Sequence, residues 1–297
     1  MKILLLGKDG QVGWELQRAL APLGQVVAWG RAEADLEDLD ALGERVRLEK
    51  PQVIVNAAAY TAVDKAESDV GRARRINTEA VALLAALARE LDAWLVHYST
   101  DYVFDGAKDG DYREDDPTGP QSVYGATKRE GEEAIGAAAC RHLVFRTSWV
   151  FATRGGNFAK TMLRLAQDRE ELNVVADQIG APTSAELIAD VTALCLYRLA
   201  HDPVLAARAS GIYHLVAAGQ TSWHQYARFV IGEAQRLGWQ LKAVPEGVLP
   251  IPGSAYPTPA RRPANSRLNT RKLQATFGVY LPPWENHVRR LVAELTL

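Results

Sequence analysis

The chain has 297 residues, a formal net charge of −2, 47% hydrophobic residues and 24% charged residues, which is the balance of a soluble globular protein. The small net charge predicts no nucleic-acid partner, and the apolar runs are too short to predict a membrane partner. The two cysteines, Cys140 and Cys195, form no CxxC pair. This excludes a disulfide framework or a zinc finger and indicates a cytoplasmic protein.

Strand-like and helix-like patterns alternate from the first residue to about residue 150. Strands are predicted at residues 2–6, 25–29, 53–55, 94–99 and 143–150, and helices at residues 12–23, 36–48, 70–91 and 124–139. These strands are short and almost continuously apolar, as parallel strands buried on both faces are. The pattern predicts a Rossmann-like, doubly wound α/β fold with helices on both faces of a parallel sheet.

After residue 150 the alternation weakens. Further helices are predicted at 157–168, at 185–200 and after an N-cap at Thr221 or Ser222, with a strand at 211–216 and a Pro- and Arg-rich loop at 245–270. We predict two lobes, which are residues 1–150 with the sheet completed by about 184–218, and a smaller C-terminal lobe from 151–183 and 219–297. A site is expected in the crevice at the carboxyl ends of the strands.

A glycine motif, GKDGQVG at residues 7–13, lies between the first strand and the first helix. Gly7 would let the chain turn sharply, Gly10 would let backbone N–H groups approach a pyrophosphate, and Gly13 would let the helix pack close to the sheet. A pyrophosphate there would lie at the positive end of the helix. In this context the motif predicts dinucleotide binding, with a purely structural turn as the alternative.

The end of the second strand bears on which dinucleotide binds. An acidic residue there would hold a ribose 2′-hydroxyl, whereas an arginine would accommodate a 2′-phosphate. Gly30 and Arg31 follow this strand, which favours NADPH over NADH. The alternative is that Arg31 is only exposed and that Glu33 or Asp35 holds the ribose, with Asp35 and Leu36 flanking the adenine.

The third strand ends in Asn56 and is followed by three alanines, residues 57–59. Small side chains at this point leave room for a flat cofactor against the backbone. The alternative, a run of helix-forming alanines, fits poorly because the alanines directly follow a strand.

The fourth strand ends in Ser99-Thr100-Asp101, and Tyr124 and Lys128 follow one helical turn apart. A free phenol titrates near ~10, and a neighbouring ammonium lowers that pKa. These residues have the chemistry to reduce a carbonyl. Thr100 would hold the substrate oxygen, Tyr124 would protonate the developing alkoxide, and Lys128 would tune the phenol and hold the nicotinamide ribose. For YxxxK alone, an exposed helix face is the alternative.

In this order, GxxGxxG, NAAA, STD and YxxxK resemble the extended short-chain dehydrogenase/reductase superfamily. Within it, the chain resembles the dTDP-4-dehydrorhamnose reductase family over all 297 residues, including VNAAAYTAVDKAE, HYSTDYVFDG, VYGATKREGE, DQIGAPTSAELIAD and AYPTPARRPANSRLN. The resemblance implies reduction of dTDP-4-dehydro-β-L-rhamnose to dTDP-β-L-rhamnose, the last step of dTDP-L-rhamnose biosynthesis. It also implies that residues 1–150 bind NAD(P)H and that the smaller lobe binds the substrate.

The resemblance and the motifs together give the predicted site. The catalytic residues are Thr100, Tyr124 and Lys128. The cofactor contacts are Gly7, Gly10, Gln11, Val12, Gly13, Arg31, Asp35, Leu36, Ala58, Ala59, Tyr60, Thr61, Tyr124 and Lys128. The substrate contacts are Thr100, Asp101, Tyr124, Trp149, Arg261 and Asn265. Trp149 would pack on the sugar ring unless it is a core aromatic, and Arg261 and Asn265 would hold the nucleotide unless their loop is a structural turn.

The sequence departs from the family pattern near the cofactor. Members often carry Asp where this chain has Gly30 before Arg31, which bears on the use of NADH, and many carry His in place of Tyr60. The resemblance also implies a Mg²⁺ ion between the two subunits of a homodimer. Glu15, Glu186 and Glu294 match its carboxylates, and solvated surface glutamates are the alternative.

Three other functions use the same fold. Sugar-nucleotide dehydratases carry an Asp-Glu pair after the threonine, whereas here Asp101 and Tyr102 follow Thr100. A 4-epimerase would retain its cofactor and show no net use of NAD(P)H. A non-catalytic regulatory subunit of the same fold would not need Thr100, Tyr124 and Lys128, so their retention favours a reductase.

Overall fold

The structure is a computed structural model that describes residues 1–295. Its centre is a six-stranded, fully parallel sheet in the order β2-β1-β3-β4-β5-β6. The strands are β1 (Lys2–Leu6), β2 (Gln25–Trp29), β3 (Val53–Asn56), β4 (Trp94–Thr100), β5 (Arg141–Thr147) and β6 (Gly211–His214). The predicted doubly wound α/β fold is therefore confirmed.

The helices cover both faces of the sheet and form a second layer near the C-terminus. The longer ones are α1 (Gln11–Leu20), α2 (Leu39–Glu49), α3 (Ala80–Glu90), α4 (Val123–Ala138), α5 (Phe158–Asp168), α6 (Ala185–His201), α7 (Trp223–Arg236) and α8 (Trp284–Glu294). Short helices span Val63–Ala66, Val70–Arg74, Pro203–Ala206 and Arg271–Phe277. Among residues 1–295, no helix is both long and apolar enough to cross a bilayer.

Alternate residues of β1 enter two different cores, which explains why this strand is apolar without interruption. Ile3 and Leu5 pack in the core that contains α1 and α6, whereas Leu4 and Leu6 pack in the core that contains α2, α3 and α4. All four side chains are fully or almost fully buried. Burial on both faces requires an apolar residue at every position of the strand.

The part of the chain after residue 150 adds a smaller layer beside the sheet. Helices α5 and α7 pack on a two-stranded parallel ribbon of Leu172–Val175 and Val248–Ile251. Ser222 caps α7, because its hydroxyl accepts a hydrogen bond from the Gln225 N–H at 3.1 Å. The division into a cofactor lobe and a substrate lobe stays a prediction.

Three predicted elements are wrong in detail. The loop predicted at 245–270 contains the strand Val248–Ile251. The predicted strand 143–150 ends at Thr147, and Val150–Phe151 pairs instead with Thr183–Ser184. The interruption lies at Trp149, whose φ of +49° is left-handed and cannot continue a strand. The predicted helix 70–91 contains a π-helical segment, Arg75–Glu79. Both of the latter departures fall at mostly polar residues, with Arg146-Thr147-Ser148 before Trp149 and RINTE in the π-helical segment.

The beginning of α1 depends on two glycines that lie against each other. Gly7 has a φ of +82°, and a Cβ there would lie 2.7 Å from the Ala58 nitrogen. A Cβ on Gly13 would overlap the carbonyl oxygen of Gly7. The helix can start directly at the end of β1 only because these side chains are absent.

We therefore expect Gly13→Ala to destabilise the protein by about 3 kcal/mol or more, because the overlap is with backbone that cannot rotate away. Gly136→Ala is the matched control, since Gly136 also lies in a helix but has no atom within 4 Å of the added Cβ. This control should be neutral or stabilising by up to about 1 kcal/mol. Thermal and urea unfolding measure both variants, and equal stability of Gly13→Ala and wild type would contradict this account.

Candidate active site

A cavity of about 1060 Å³ opens along the carboxyl edge of the sheet. Its wall includes residues that follow β1 to β5, so it occupies the crevice expected for a doubly wound sheet. Most of the predicted site residues line it. They are Gly7, Gly10, Gln11, Val12, Arg31, Asp35, Leu36, Ala58, Ala59, Thr61, Thr100, Asp101, Tyr124, Lys128 and Trp149.

The N-terminus of α1 faces this cavity without a capping side chain. Gly10 is its N-cap residue and has an ordinary φ of −73°. A Cβ on Gly10 would come no closer than 3.5 Å to its nearest neighbour, the Gly7 oxygen, so the fold itself does not require glycine there. Free N–H groups and open space at a positive helix end suit a pyrophosphate.

Charged side chains of both signs surround the end of β2. The Arg31 guanidinium lies 3.2 Å from an Asp35 oxygen and 2.6 Å from a Glu37 oxygen. Glu33 accepts the Gly30 N–H at 2.8 Å and pairs with Lys8 at 2.6 Å. The Glu37 N–H and, to a lesser extent, Arg31 hold the pKa of Asp35 below its ordinary value. Any 2′-phosphate bound by Arg31 must therefore compete with two carboxylates.

Helix α4 presents Tyr124 in its first turn, because Ser122 caps the helix by accepting the Gly125 N–H at 3.1 Å. The Tyr124 side chain is half-buried, and desolvation raises the pKa of the phenol well above its ordinary value. The Thr100 hydroxyl opposes this shift, whereas Asp101 and Tyr102 add to it. In this environment the phenol is a neutral O–H, which is the form required of a proton donor.

Lys128 lies one turn further along α4 and is only 1% exposed. Its Nζ donates to the Tyr98 carbonyl oxygen at 2.6 Å and lies 3.1 Å from His97 Nε2. Burial lowers the pKa of Lys128 to about 8, and the charge of Glu132 opposes that shift. Within residues 1–295 no hydrogen bond joins this ammonium to the Tyr124 phenol. The ammonium instead bonds to His97 and Tyr98 on β4, so a lowering of the Tyr124 pKa by Lys128 stays a prediction.

Asp101 is a buried carboxyl at the cavity wall. Its Oδ1 accepts the Thr100 hydroxyl at 3.0 Å, and its Oδ2 has no hydrogen-bond partner among the described residues. Burial raises the pKa of Asp101 to about 6, although nearby Ser266 and Thr100 favour the carboxylate. Asp101 is part of the cavity wall, and its buried Oδ2 is an unsatisfied hydrogen-bond acceptor.

Trp149 both lines the cavity and packs on the protein. Its indole stacks on Trp223 with ring centroids 3.6 Å apart and an interplanar angle of 15°. A Cβ on Gly180 would lie 2.7 Å from the ring, so the indole also lies close to this glycine. The left-handed backbone of Trp149 directs the side chain to this position, which a continuous strand would not provide.

Four of the predicted site residues do not line the cavity. Gly13 lies behind the glycine turn, and Tyr60 is 8% exposed, with its hydroxyl donating to Asp69 at 3.1 Å. Arg261 is exposed, and its guanidinium lies 3.3 Å from the Gln121 side-chain oxygen.

The fourth, Asn265, is buried and has a structural part. Its amide donates to the carbonyl oxygens of Lys108 and Gly110 at 2.7 and 2.8 Å. Its Oδ1 accepts N–H groups of Arg267. Because both the Nδ2 and the Oδ1 of Asn265 are bonded within the protein, these bonds favour the alternative in which the loop is a structural turn.

The sequence patterns did not identify Arg154 as a site residue. This exposed arginine follows the Val150–Phe151 strand and lines the cavity beside the glycine turn. Its guanidinium stacks over Trp14 at 4.1 Å and its Nε lies 3.4 Å from the Asp9 oxygen. The only local signal is the pair of glycines that follows it, and the contact to the distant turn is not readable from the sequence.

The predicted metal ligands do not form a metal site. Glu15 pairs with Arg18 at 3.3 Å, and Arg290 pairs with Glu186 at 3.2 Å and Glu294 at 2.8 Å. Over the described part of the chain, no group of three His, Cys, Asp or Glu side chains is arranged to hold a metal ion. Arginines already balance these carboxylates, so the structure does not support Mg²⁺, and no chemical step below uses a metal.

A phenol, a hydroxyl and a buried ammonium beside an uncapped, glycine-bounded helix end define an NAD(P)-dependent carbonyl reductase of the extended short-chain type. The model of the RmlD substrate binding domain family matches residues 1–297, so the chain belongs to this family.

Whole-chain comparisons agree with this membership. The chain is 52% identical to the dTDP-4-dehydrorhamnose reductase of Shigella flexneri over 99% of this chain and 98% of that protein. It is 51% identical to that of Burkholderia thailandensis, over 99% of both chains.

Two solved structures extend the comparison to three dimensions. The dTDP-4-dehydrorhamnose reductase of Clostridium acetobutylicum superimposes with a TM-score of 0.89 at 33% identity, covering 100% of both chains. The Bacillus anthracis enzyme in complex with NADP gives a TM-score of 0.87 at 31% identity, covering 99% of both chains.

The position of Arg154 gives a test of the cavity. If the pyrophosphate of a dinucleotide lies at the start of α1, Arg154→Ala should weaken NADPH binding about tenfold, the loss expected for one charge-assisted hydrogen bond. Arg164→Ala, an exposed arginine on α5, is the control and should bind as wild type does. Fluorescence titration measures both, and unchanged affinity in Arg154→Ala would remove Arg154 from the site.

Proposed function

We infer that this protein reduces the C4 carbonyl of dTDP-4-dehydro-β-L-rhamnose to give dTDP-β-L-rhamnose, using NAD(P)H, in the last step of dTDP-L-rhamnose biosynthesis. One observation carries this inference. Thr100, Tyr124 and Lys128 meet at one cavity in a chain that matches dTDP-4-dehydrorhamnose reductases over 99% of its length. The fit of the cofactor rests on the uncapped end of α1 and the open space at Gly10.

The chain's own residues would prepare the cofactor side of the reaction. The first N–H groups of α1 and the Arg154 guanidinium would hold the pyrophosphate, and the small side chains of Ala58 and Ala59 would let the cofactor lie against the end of β3. Lys128 has three N–H bonds and two hydrogen-bond partners among the described residues, so one bond is available to the nicotinamide ribose. When bound, the nicotinamide supplies the hydride.

On the substrate side, Thr100 and Tyr124 would hold the C4 oxygen between their hydroxyls. As the carbonyl carbon accepts the hydride pair, the oxygen becomes an alkoxide, and Tyr124 donates its phenolic proton to that oxygen. The phenolate that remains is stabilised by the Lys128 ammonium. Burial keeps the phenol protonated before the reaction, and solvent then returns the proton after product release.

The sugar and the rest of the nucleotide need further contacts. Asp101 would accept a sugar hydroxyl through its unpaired Oδ2, and Trp149 would pack its indole against the deoxy-sugar ring. Arg261 stays a candidate for the nucleotide, because it is exposed and directly precedes Arg262. Arg262 in turn donates to the hydroxyl of Tyr102, which lines the cavity. Asn265 would act indirectly, by fixing the loop at Lys108 to Gly110.

The cofactor preference follows from the charges at the end of β2. Arg31 favours NADPH, and its pairing with Asp35 and Glu37 reduces that advantage. We therefore propose that both cofactors are used, with NADPH preferred. A homodimer and a cytoplasmic location also stay predictions, and sedimentation measures the first.

The role of Tyr124 is tested by Tyr124→Phe. We expect turnover with NADPH and with NADH to fall by about 10²- to 10⁴-fold, because the proton donor is removed, while NADPH affinity stays within a few-fold of wild type. The assay follows oxidation of each cofactor with and without the 4-keto sugar nucleotide. Tyr102→Phe is the control, since its ring packs edge-on against Tyr124 at 5.6 Å and only its hydroxyl is lost, which accepts a hydrogen bond from Arg262 at 3.3 Å.

Substantial residual turnover in Tyr124→Phe would assign the proton to another group. Wild-type protein that oxidises neither cofactor in the presence of the 4-keto sugar nucleotide would favour a non-catalytic regulatory subunit.

Asp101 predicts a pH dependence. Since its pKa is raised to about 6, the carboxylate is protonated as the pH falls through that value and becomes a weaker hydrogen-bond acceptor. We expect kcat/KM of the wild type to fall as the pH decreases, with a midpoint near 6. Asp101→Asn should have a lower kcat/KM than wild type and should lack this acid limb. A pH–rate profile measures both. An identical acid limb in Asp101→Asn would assign the titration to another group.

A further inference from the structure

A row of three buried polar side chains lies beneath the reacting centre. Asn56 on β3 and His97 on β4 are register partners in the sheet, and Lys128 reaches them from α4. Asn56 Nδ2 lies 3.2 Å from His97 Nδ1, and His97 Nε2 lies 3.1 Å from Lys128 Nζ. Each of the three residues is 1% exposed, so water does not substitute for any of these contacts.

The histidine ring in this row is neutral. Burial and, secondarily, the charge of Lys128 hold the pKa of His97 well below its ordinary value. A neutral imidazole has one N–H and one acceptor nitrogen, so the two ends of the ring must behave differently.

Two hydrogen-bond patterns satisfy the ring. If Nε2 is the acceptor, Lys128 donates to it as an ammonium, and the proton on Nδ1 requires the Asn56 amide to present its oxygen. If Asn56 instead keeps its NH₂ group towards Nδ1, with Oδ1 accepting the Ala58 N–H at 3.2 Å, the ring proton lies on Nε2. That proton then faces Lys128, which accepts it only as a neutral amine. Amide orientation, ring tautomer and lysine charge are therefore linked.

The other groups around the Lys128 amine cannot change from hydrogen-bond donor to acceptor. The Tyr98 carbonyl oxygen accepts in both patterns. Glu132, on the same helix, is committed to a buried ion pair with Arg146 on β5 at 2.6 Å. Tyr124, also on α4, makes no hydrogen bond to Nζ within residues 1–295. His97 is the neighbouring side chain that can exchange donor for acceptor.

We propose that His97 is a positioning residue of the reductase, which holds the Lys128 amine beside β4 and, through its tautomer, sets whether that amine carries a proton. Lys128 touches the cofactor and the developing phenolate, whereas His97 acts only through it. This inference rests on the function proposed above.

The test compares His97→Leu with His97→Gln. Leucine removes the acceptor, whereas the glutamine amide can place an oxygen near the position of Nε2. Without an acceptor the ammonium is less favourable, so in His97→Leu the alkaline limb of kcat/KM should move to lower pH by about one unit. Well above both midpoints kcat/KM should fall about tenfold, the loss that one pH unit converts to, whereas at neutral pH, near the lowered midpoint, it should fall only about twofold. His97→Gln should keep the wild-type limb and activity within a few-fold.

His214→Leu is the matched control. His214 is also fully buried, lies on β6 and has no hydrogen-bond partner for either ring nitrogen among the described residues. The His214→Leu variant should differ from wild type in stability without a change in the alkaline limb of kcat/KM. An unmoved limb in His97→Leu, or equal losses with unmoved limbs in both His97 variants, would make His97 a packing residue and overturn the proposal.

Two further measurements separate this proposal from the proposed function. NADPH affinity as a function of pH reports the charge of Lys128 without turnover, and in His97→Leu it should weaken at lower pH than in wild type. Nitrogen NMR of wild-type protein reports the His97 tautomer directly, even if His97→Leu does not fold. A change of tautomer through the pKa of Lys128 is expected, and a single tautomer across that range would overturn the linkage.

Discussion

The close contact between the end of β1 and the start of α1 determines where the site can form. It exists because Gly7 and Gly13 carry no side chains, so the helix begins directly at the sheet edge. The free N–H groups of α1 therefore point into the crevice at the carboxyl ends of the strands. Apolar side chains on both faces of β1 then hold the strand and the helix in this relation. A dinucleotide site at this edge follows from a steric constraint inside the protein.

The reacting groups lie at the same sheet edge, and their protonation states depend on desolvation and on hydrogen-bond acceptors. Tyr124 is half-buried and Lys128 is buried, so desolvation favours the neutral form of each. A neutral phenol suits a proton donor, whereas the lysine must be kept charged by acceptors. The Tyr98 carbonyl oxygen on β4 provides one, and His97 provides a second in the tautomer whose Nε2 carries no proton. Strand β4 therefore supplies the hydrogen-bond partners of the ammonium that would stabilise the phenolate.

Much of the fold and of the site could be predicted from the sequence, because their signals are local. Uninterrupted apolar runs indicated the central strands, and the glycine triplet and YxxxK have meaning through spacing alone. The rest depends on distant partners. The left-handed backbone of Trp149 has no signal in the residue type, and Asn265 is bound by carbonyls more than 150 residues away in sequence. Arg154 reaches the glycine turn from more than 140 residues further along the chain. His97 became relevant only when β4 was seen beside α4.

The measurement that tests the account most directly is the transfer of deuterium. Wild-type protein would be incubated with NADPH carrying deuterium at the reactive C4 position, one stereoisomer at a time, and with dTDP-4-dehydro-β-L-rhamnose. The account predicts that one stereoisomer delivers a single deuterium to C4 of the sugar, detected by mass spectrometry and NMR. A reduced sugar without deuterium at C4, or deuterium at another carbon, would contradict it.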